Sequence, residues 1–244
     1  MTENSIILGD CLEIMKAIKS KSIDMILCDL PYGMTHNKWD SVIPLTPLWE
    51  AYTRIIKDHA AIVLTASQPF TSQLITSNLD NFRHEWIWKK NKSTGFLNAK
   101  KAPLKIHESV LVFGLQKTRY FPQKTMGHSP VHSYVKNTSD GMNYGKTKHE
   151  FKGGGSTERY PTSIIFFPVV NNYKAGKIHP NQKPIELFEY LIKTYSKPKE
   201  LVLDTCSGSG TTAIAASNTN RRWLCIEKDA IYYKKSCERI KGIL

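Results

Sequence analysis

The sequence predicts an α/β fold with a mainly parallel, doubly wound sheet and one antiparallel strand. Short apolar runs alternate along the chain with segments whose apolar residues recur every three or four positions, which is typical of parallel sheets covered by helices on both faces. Near the C-terminus, an apolar run leads through a glycine-rich turn into a helical pattern. The 244 residues suffice for a single domain, which we expect to span 1–244.

The elements of the first half follow from these periods. Residues 6–8 predict a short strand, after which Leu12, Met15 and Ile18 recur at helical spacing. The next expected elements are a buried strand at 23–28, a helix at 48–57, a buried strand at 60–65 and a helix at 69–75. Residues 85–88 and 109–113 predict two strands that lie close enough in sequence to form an antiparallel pair.

The second half begins with an irregular stretch. Residues 116–162 are rich in Lys, His, Tyr, Gly, Ser and Thr without a sustained period, and they are too long for an ordinary connection, so they predict an insertion. Pro184 fits the first turn of a helix that we expect to run through Ser196. The remaining expected elements are a strand at 201–203, a helix at 211–216, a strand at 223–226 and a helix at 230–241.

The net charge of +13 is concentrated in one part of the chain. Residues 83–153 contain fourteen Lys and Arg but four Asp and Glu. This excess favours a polyanionic partner, most simply nucleic acid, over the alternative of a solvated basic surface.

The composition also argues against several classes of protein. No apolar run reaches the ~18 residues of a membrane span, and the N-terminus lacks the basic and apolar regions of a signal peptide, so we expect neither. The five cysteines form no Cys-x-x-Cys pair and the histidines show no metal-ligand spacing, so we expect no metal site. The odd number of cysteines indicates reduced thiols in a cytoplasm.

The stretch LVLDTCSGSGTTAIAA at 201–216 predicts a ligand-binding turn. An apolar strand ends at Asp204, a Gly-Ser-Gly turn lets a ligand approach the backbone, and a helix starting near Thr211 offers free N–H groups. The next strand, WLCIE, ends at Glu227, whose carboxylate can accept both hydroxyls of a ribose. Together these features indicate an adenosine-containing cofactor. A plain helix cap is the alternative, NAD is not excluded, and the lack of a Gly-x-x-x-x-Gly-Lys-Ser/Thr string argues against a P-loop.

The stretch DLPY at 29–32 directly follows the apolar run at 23–28. It places a carboxylate, a stiff proline and an exposed aromatic ring at the end of a buried strand. Taken alone, it favours a β-turn in which Tyr32 merely packs.

Read together, DLPY and DTCSGSGTT resemble the S-adenosylmethionine-dependent DNA amino-methyltransferases with an Asp-Pro-Pro-Tyr signature, in the permuted branch whose catalytic motif precedes the glycine motif. GDCLEIM at 9–15, HPNQKP at 179–184 and IEKD at 226–229 resemble further family segments in the same order, and KSTGFLNAKKAPLKIHE at 92–108 resembles phage or mobile-element members. The resemblance implies a Rossmann-like methyltransferase fold, S-adenosyl-L-methionine as cofactor, and a target-recognition region inserted at 116–162.

The resemblance also implies a role for each residue of DLPY. A base extruded from the duplex would stack on Tyr32, while Asp29 and the main-chain carbonyl of Leu30 each accept one hydrogen of its amino group. Methyl transfer would then be an in-line displacement in which positioning dominates the rate. Pro31 stiffens the loop, whereas Leu30 replaces the usual family proline, which bears on the rate more than on the reaction type.

The cofactor contacts implied by the resemblance come from several segments. Asp10 and Cys11 would contact the adenine end, Glu227 the ribose, and the turn at 204–212 the methionine part. The full predicted set is Asp10, Cys11, Asp29, His179, Asn181, Lys183, Asp204, Cys206, Ser207, Gly208, Ser209, Gly210, Thr211, Thr212, Glu227 and Lys228. For Lys183, a solvated charge is a nearly equal alternative to a place near the cofactor carboxylate.

The expected DNA contacts are basic side chains in and near the insertion. They are Lys89, Lys90, Lys92, Lys100, Lys101, Lys117, Arg119 and Lys124. The first three lie beside Trp86 and Trp88 and would line the path of the flipped strand. The alternative is that these lysines are solvated and both tryptophans belong to the core, and strand alternation favours the core for the tryptophans.

The substrate is expected to be adenine N6 in double-stranded DNA, because family members whose motif begins with Asp are mostly adenine enzymes. Cytosine N4, an RNA or protein-amide substrate, and a non-catalytic nucleic-acid-binding subunit are the alternatives. The sequence leaves open a homodimer and a partner restriction endonuclease. The expected location is the cytoplasm of a bacterial or phage-infected cell.

Overall fold

The computed structural model describes residues 2–34, 40–136, 140–141, 145–146, 151–171 and 177–243. They form two compact units, one made of Met1–Phe121 with Ser163–Leu244 and the other of Pro122–Thr162. The insertion predicted at 116–162 overlaps the second unit, although part of it lies outside the described residues. Its role in target recognition stays a prediction.

The strands of the described chain are short in the second unit and longer in the first. They are β1 (Ser5–Leu8), β2 (Ile23–Cys28), β3 (Ile56–Ala66), β4 (Phe82–Thr94), β5 (Lys105–Phe113), β6 (Tyr134–Lys136), β7 (Asp140–Gly141), β8 (Gly145–Lys146), β9 (Phe151–Gly153), β10 (Ile164–Phe166), β11 (Leu201–Asp204) and β12 (Arg222–Glu227).

An eight-stranded sheet in the order β1-β12-β11-β2-β3-β5-β4-β10 forms the centre of the first unit. Its neighbouring strands are parallel except that β5 runs antiparallel to both β3 and β4. This confirms the predicted mainly parallel sheet, including the antiparallel pair expected between 85–88 and 109–113.

Helices cover both faces of this sheet, so it is doubly wound. The helices are α1 (Cys11–Lys16), α2 (Leu45–Ile55), α3 (Phe70–Ser77), α4 (Ile185–Tyr195), α5 (Thr211–Asn218) and α6 (Ala230–Lys241). The first three share a core cluster with Ile26 and Cys28, and the last three share a second cluster with Met25 and Leu27. All of β2 is buried because alternate side chains enter opposite clusters, which explains why it is apolar except for Asp24. Among the described residues, no helix combines the length and apolarity required to cross a bilayer.

Several elements differ from the sequence prediction. The helix expected at 48–57 begins at Leu45 and ends at Ile55, because the backbone at Ile56 is already extended and starts β3. Strands β4 and β5 continue well past their predicted ends through polar residues that leave the core. Strand β10 was not predicted; it is three residues long and pairs with β4 at the sheet edge.

The second unit contains two small antiparallel pairs, β6 with β9 and β7 with β8, together with an isolated bridge between Thr125 and Arg159. Such short strands leave no periodic signal, which accounts for the irregular sequence of this region.

The parallel arrangement brings distant carboxylates to one edge of the sheet. Asp29 follows β2, Asp204 and Glu227 end β11 and β12, and Asp10 follows β1 after Gly9. In open α/β sheets, ligands bind in the crevice outside the carboxyl ends of the strands, so this edge is where a site is expected.

Candidate active site

A cavity of about 370 Å³ opens at this edge, within the size range of small-molecule sites. Its walls come from the segments that follow β1, β2, β11 and β12 and from the segment before α4. The predicted site residues that line it are Asp10, Cys11, Asp29, Leu30, Pro31, Tyr32, His179, Asn181, Lys183, Asp204, Cys206, Ser207, Gly208, Ser209, Thr211, Glu227 and Lys228. The first and last motifs of the chain therefore meet in one place.

Two predicted cofactor residues do not line the cavity. Gly210 has a left-handed backbone (φ 73°), and a Cβ added there would lie 2.9 Å from Cδ1 of Ile240 in α6. Thr212 is fully buried and donates its hydroxyl to Asp204. Both residues therefore support the turn through contacts on the side away from the cavity, and their predicted contact with the cofactor stays a prediction.

One oxygen of Asp29 is anchored by three donors. Oδ1 accepts from the Tyr32 hydroxyl at 2.8 Å, from Lys183 Nζ at 2.6 Å, and from the hydroxyl of Thr65 in β3. Among the described residues, no side chain or backbone group donates a hydrogen bond to the second oxygen, Oδ2. The carboxylate is thus fixed through one oxygen while the other is available to a ligand.

Lys183 belongs to a chain of alternating buried charges. Its ammonium lies 2.6 Å from Asp29 and 3.5 Å from Oε2 of Glu108 in β5, and the other oxygen of Glu108 is paired with Lys90. Burial lowers the pKa of Lys183, but the carboxylates of Asp29 and Glu108 outweigh it, so this pKa lies above its ordinary value. Burial raises the pKa of Glu108, but the two lysines bring it below its ordinary value. The alternative of a solvated Lys183 is wrong, since its side chain is only 8% exposed.

Tyr32 is less exposed than the sequence suggested. Its ring is half-buried and stacks on Phe70 with the ring centroids 5.5 Å apart. Burial raises the pKa of its hydroxyl well above the ordinary value, so the hydroxyl keeps its proton and can donate to Asp29. The ring still lines the cavity, and the ammonium of Lys183 lies 5.6 Å from its centroid.

The turn after Tyr32 is closed by Asp40, a residue that the sequence analysis did not single out. Its two carboxylate oxygens accept the N–H groups of Gly33 at 2.9 Å and Met34 at 3.0 Å. Gly33 has a left-handed backbone (φ 68°), and a Cβ there would lie 2.8 Å from Val42. Asp40 thus holds the loop that carries Leu30, Pro31 and Tyr32.

Backbone N–H groups hold the carboxylates at the opposite end of the cavity. Glu227 accepts from Gly208 at 2.7 Å and from Asp229 at 2.8 Å, and burial raises its pKa. Asp10 accepts the N–H of Leu12, at the start of α1, and the ammonium of Lys228 at 3.0 Å. Carboxylates at two neighbouring strand ends can accept hydroxyl groups of a nucleoside.

The glycine turn adds a buried acid and an unsatisfied hydroxyl. Asp204 accepts from Cys206 N at 3.0 Å and from Thr212, yet burial raises its pKa to about 6. The hydroxyl of Ser207 is buried and, within the described chain, has no hydrogen-bond partner although the residue lines the cavity. Burial lowers the pKa of His179 to about 4, so its ring adds no positive charge near pH 7. These groups suit a ligand with an ammonium and further polar atoms.

The predicted DNA residues occupy different environments. Lys89, Lys92, Lys100, Lys101 and Lys117 are exposed. Lys90, Arg119 and Lys124 form ion pairs with Glu108, Glu200 and Glu158, and the side chain of Lys90 is 12% exposed. Trp86 and Trp88 are buried, which confirms that both belong to the core.

No group of acidic, histidine and cysteine side chains in the described ranges could hold a metal ion.

Sequence reasoning missed Thr65, Glu108 and Asp40, three polar groups that hold the site. Glu108 is the charged residue that precedes the apolar run of β5, and Asp40 lies eleven positions after Asp29. Thr65 carried no local signal, because its contact with Asp29 depends on how β2 and β3 pair.

Comparisons with known proteins agree on one family. The model of the DNA methylase family N6_N4_Mtase matches residues 23–238. The type II methyltransferase M1.MboII of Moraxella bovis is 25% identical over 93% of this chain and 92% of its own length. The DNA adenine methyltransferase YhdJ of Escherichia coli K12 is 25% identical over 97% of this chain and 82% of its own.

Solved structures share the fold. The cytosine-N4-specific PvuII DNA methyltransferase superposes with a TM-score of 0.70 at 14% identity, covering 98% of this chain and 86% of that one. The M1.HpyAVI complex with SAM gives a TM-score of 0.64 at 21% identity, covering 97% and 98%.

Proposed function

The chain belongs to the N6/N4 family of DNA methylases, which use S-adenosyl-L-methionine, and from that premise we propose that it methylates adenine N6 of a base extruded from double-stranded DNA. The observation that carries the proposal is the arrangement of Asp29, which is anchored through Oδ1 and leaves Oδ2 available at the cavity. A carboxylate fixed in this way is suited to accept a hydrogen from an exocyclic amine.

The protein's task is mainly one of positioning. The amine lone pair is delocalised into the base ring, and hydrogen bonds from the amino group to Asp29 Oδ2 and to the Leu30 carbonyl favour a pyramidal nitrogen. The extruded base would stack on Tyr32, a contact worth roughly 1–3 kcal/mol against the few kcal/mol of lost stacking and pairing. The bound cofactor supplies an electrophilic methyl group, and we assign to Asp29 the acceptance of the proton that the amine releases.

The cavity fits this cofactor on the evidence of its own residues. The hydroxyl of Ser207, which finds no hydrogen-bond partner in the described ranges, and the buried Asp204 would hold the ammonium and polar atoms of the methionine part. Glu227 and Asp10 would hold the nucleoside end. The Lys183 ammonium is 2.6 Å from Asp29, so we assign it to the positioning of Asp29 and no longer to the cofactor carboxylate.

Adenine is supported by the acidic first residue of the motif and by the similarity to YhdJ, which is named as a DNA adenine methyltransferase. We further propose that the exposed lysines of the first unit contact DNA phosphates and that the unit at 122–162 contributes to sequence recognition. A homodimer, a partner endonuclease, a cytoplasmic location and the permuted branch stay predictions.

The test is methyl transfer from labelled cofactor to unmethylated genomic DNA, followed by nucleoside analysis. We expect label in N6-methyladenine and its loss in Asp29→Ala, because that variant has neither the anchor nor the acceptor. The matched control is Asp58→Ala, which removes an exposed carboxylate that is likewise paired with a lysine, Lys21. Its activity should equal that of the wild type.

Other products would change the conclusion. Label in N4-methylcytosine alone would overturn the adenine assignment and keep the family chemistry. Cofactor binding without transfer to DNA would overturn the proposed substrate, and activity retained by Asp29→Ala would overturn the proposed mechanism.

A further inference from the structure

The connection between β4 and β5 presents apolar side chains to solvent. After Gly95, a short helical turn carries Phe96 and Leu97, whose exposed fractions are 80% and 98%. Single exposed apolar residues are common, but two adjacent large ones at the tip of a hairpin form a projecting apolar surface. We call residues 95–104 the tip.

The tip lies at the active-site edge of the sheet. Strand β4 points in the same direction as β2 and β3, because β5 is antiparallel to both of its neighbours. Val110 of β5 pairs with Thr65, which contacts Asp29, and Lys105 lies five residues further toward the tip. At ~3.3 Å per residue, the hairpin extends about 17 Å beyond the level of Asp29.

The charge around the tip identifies the class of partner. Residues 89–107 contain six lysines and no Asp or Glu, and Lys92, Lys100 and Lys101 are exposed. A second copy of this chain, with its net charge of +13, would be repelled. The phosphate backbone of a DNA duplex would be attracted, and its base stack offers an apolar environment to the two side chains.

We propose that Phe96 and Leu97 insert into the base stack beside the target base while the neighbouring lysines contact phosphates. This inference rests on the proposed function, because a wedge is needed only if a base leaves the stack. Phe and Leu are residue types that proteins insert between base steps. The inserted side chains are buried from water and separate the target base from its stacking neighbour, which offsets part of the cost of extrusion.

The test compares two duplexes in single-turnover methyl transfer by the full chain. Both carry the sequence found methylated in genomic DNA, one with the target base correctly paired and one with it mispaired. We expect Phe96→Ala/Leu97→Ala to slow transfer on the paired duplex by at least about tenfold, since extrusion costs a few kcal/mol there. Most of the rate should return on the mispaired duplex, where extrusion costs less, and cofactor affinity should not change.

The matched control is Leu79→Ala. Leu79 is 63% exposed but lies just before β4, at the opposite edge of the sheet, so its removal should leave both rates unchanged. Equal slowing on the two duplexes, or no slowing by an active protein, would overturn the wedge while leaving the methyltransferase proposal intact. Sedimentation showing that the double variant loses a dimer instead would assign the tip to self-association. A wild-type protein that binds cofactor but methylates no DNA would overturn both proposals.

Discussion

The Asp29 carboxylate is held in place by side chains that lie far from it in sequence. Among them, Lys183 has the role that can be tested most directly by substitution. The Asp29–Lys183–Glu108–Lys90 chain alternates in charge and is largely buried. Removing one member of a buried ion pair leaves an uncompensated charge and costs about 3–5 kcal/mol. Lys183 therefore compensates the charge of the neighbouring carboxylates and fixes the Asp29 carboxylate at the same time.

We expect Lys183→Met to lower kcat by about 100-fold, since small displacements of a reacting group can cost that much. The KM for the cofactor should change little, because the Lys183 ammonium contacts Asp29 and Glu108 and not Asp204, the carboxylate of the glycine turn. Lys183→Arg, which keeps the charge, should recover part of kcat. An unchanged kcat with a KM raised about tenfold would instead place Lys183 at the cofactor carboxylate, as one sequence alternative had it.

Asp204 gives the molecule a pH dependence with opposite signs for stability and for binding. Burial raises its pKa from the ordinary 3.8 to about 6. The folded state therefore favours the protonated acid, and the stability that protonation confers is lost as the pH rises from about 4 to about 6. Binding of a cofactor ammonium requires the ionised form, so affinity should fall as the pH drops below about 6.

Calorimetric titration with S-adenosylmethionine at pH 5 and 7.5 checks this expectation. One pH unit below the pKa should weaken binding about tenfold, because an α-ammonium, whose pKa is about 7.7–8.0, stays mostly protonated across this range. His179, with a pKa of about 4, titrates below this pH range and does not contribute to the change. Asp204→Asn should abolish the difference in affinity between the two pH values. Glu227→Gln should weaken binding at both pH values and keep that difference. A step retained in Asp204→Asn would contradict the assignment.

Among the elements, those with buried faces could be predicted and those in solvent could not. Strand β2 is apolar except for Asp24 because both of its faces enter core clusters, and α6 was predicted with its observed ends. Beyond Lys90 and Glu108, the outer parts of β4 and β5 are largely exposed on both faces, so Lys, Asn, Ser and Thr there carry no strand period. Strand β10 buries one side chain, Ile165, which is too little for a pattern.

The same reasoning applies to the elements that form the site. The loops after β1, β2, β11 and β12 could be predicted, because the carboxyl ends of parallel strands meet at one edge. The contacts of Thr65 and Glu108 could not, since they depend on the register of β3 and β5, which pairs Ala66 with Ser109. Local sequence therefore indicates which turns can bind a ligand. Which side chains support those turns depends on the strand register.

The charge of the whole molecule makes DNA binding dependent on salt. With a net charge of +13, the protein should release counterions from DNA when it binds. We expect the affinity for a 30-bp duplex to fall by about 10³-fold or more between 50 and 200 mM salt, as for proteins that make at least six phosphate contacts.

Fluorescence anisotropy across that range measures the slope of log affinity against log salt. Lys100→Ala/Lys101→Ala should reduce the slope by about 2, since it removes two exposed cations of the tip. The matched control is Lys16→Ala/Lys21→Ala, whose cations are already paired with Glu13 and Asp58 and should affect the slope less. A flat salt response of the wild type would argue against phosphate contacts.

The pairing of β1 with β12 also has a consequence for synthesis. Ser5 pairs with Leu224 of β12. More than two hundred further residues must therefore be synthesised after β1 before the strand that pairs with it is present. The nucleoside end of the cavity needs Asp10 from the start of the chain and Glu227 from near its end. A nascent chain that has already exposed DLPY and the lysines of the tip therefore has no complete cofactor site. The site that we propose for the cofactor is complete only after β12 has been synthesised.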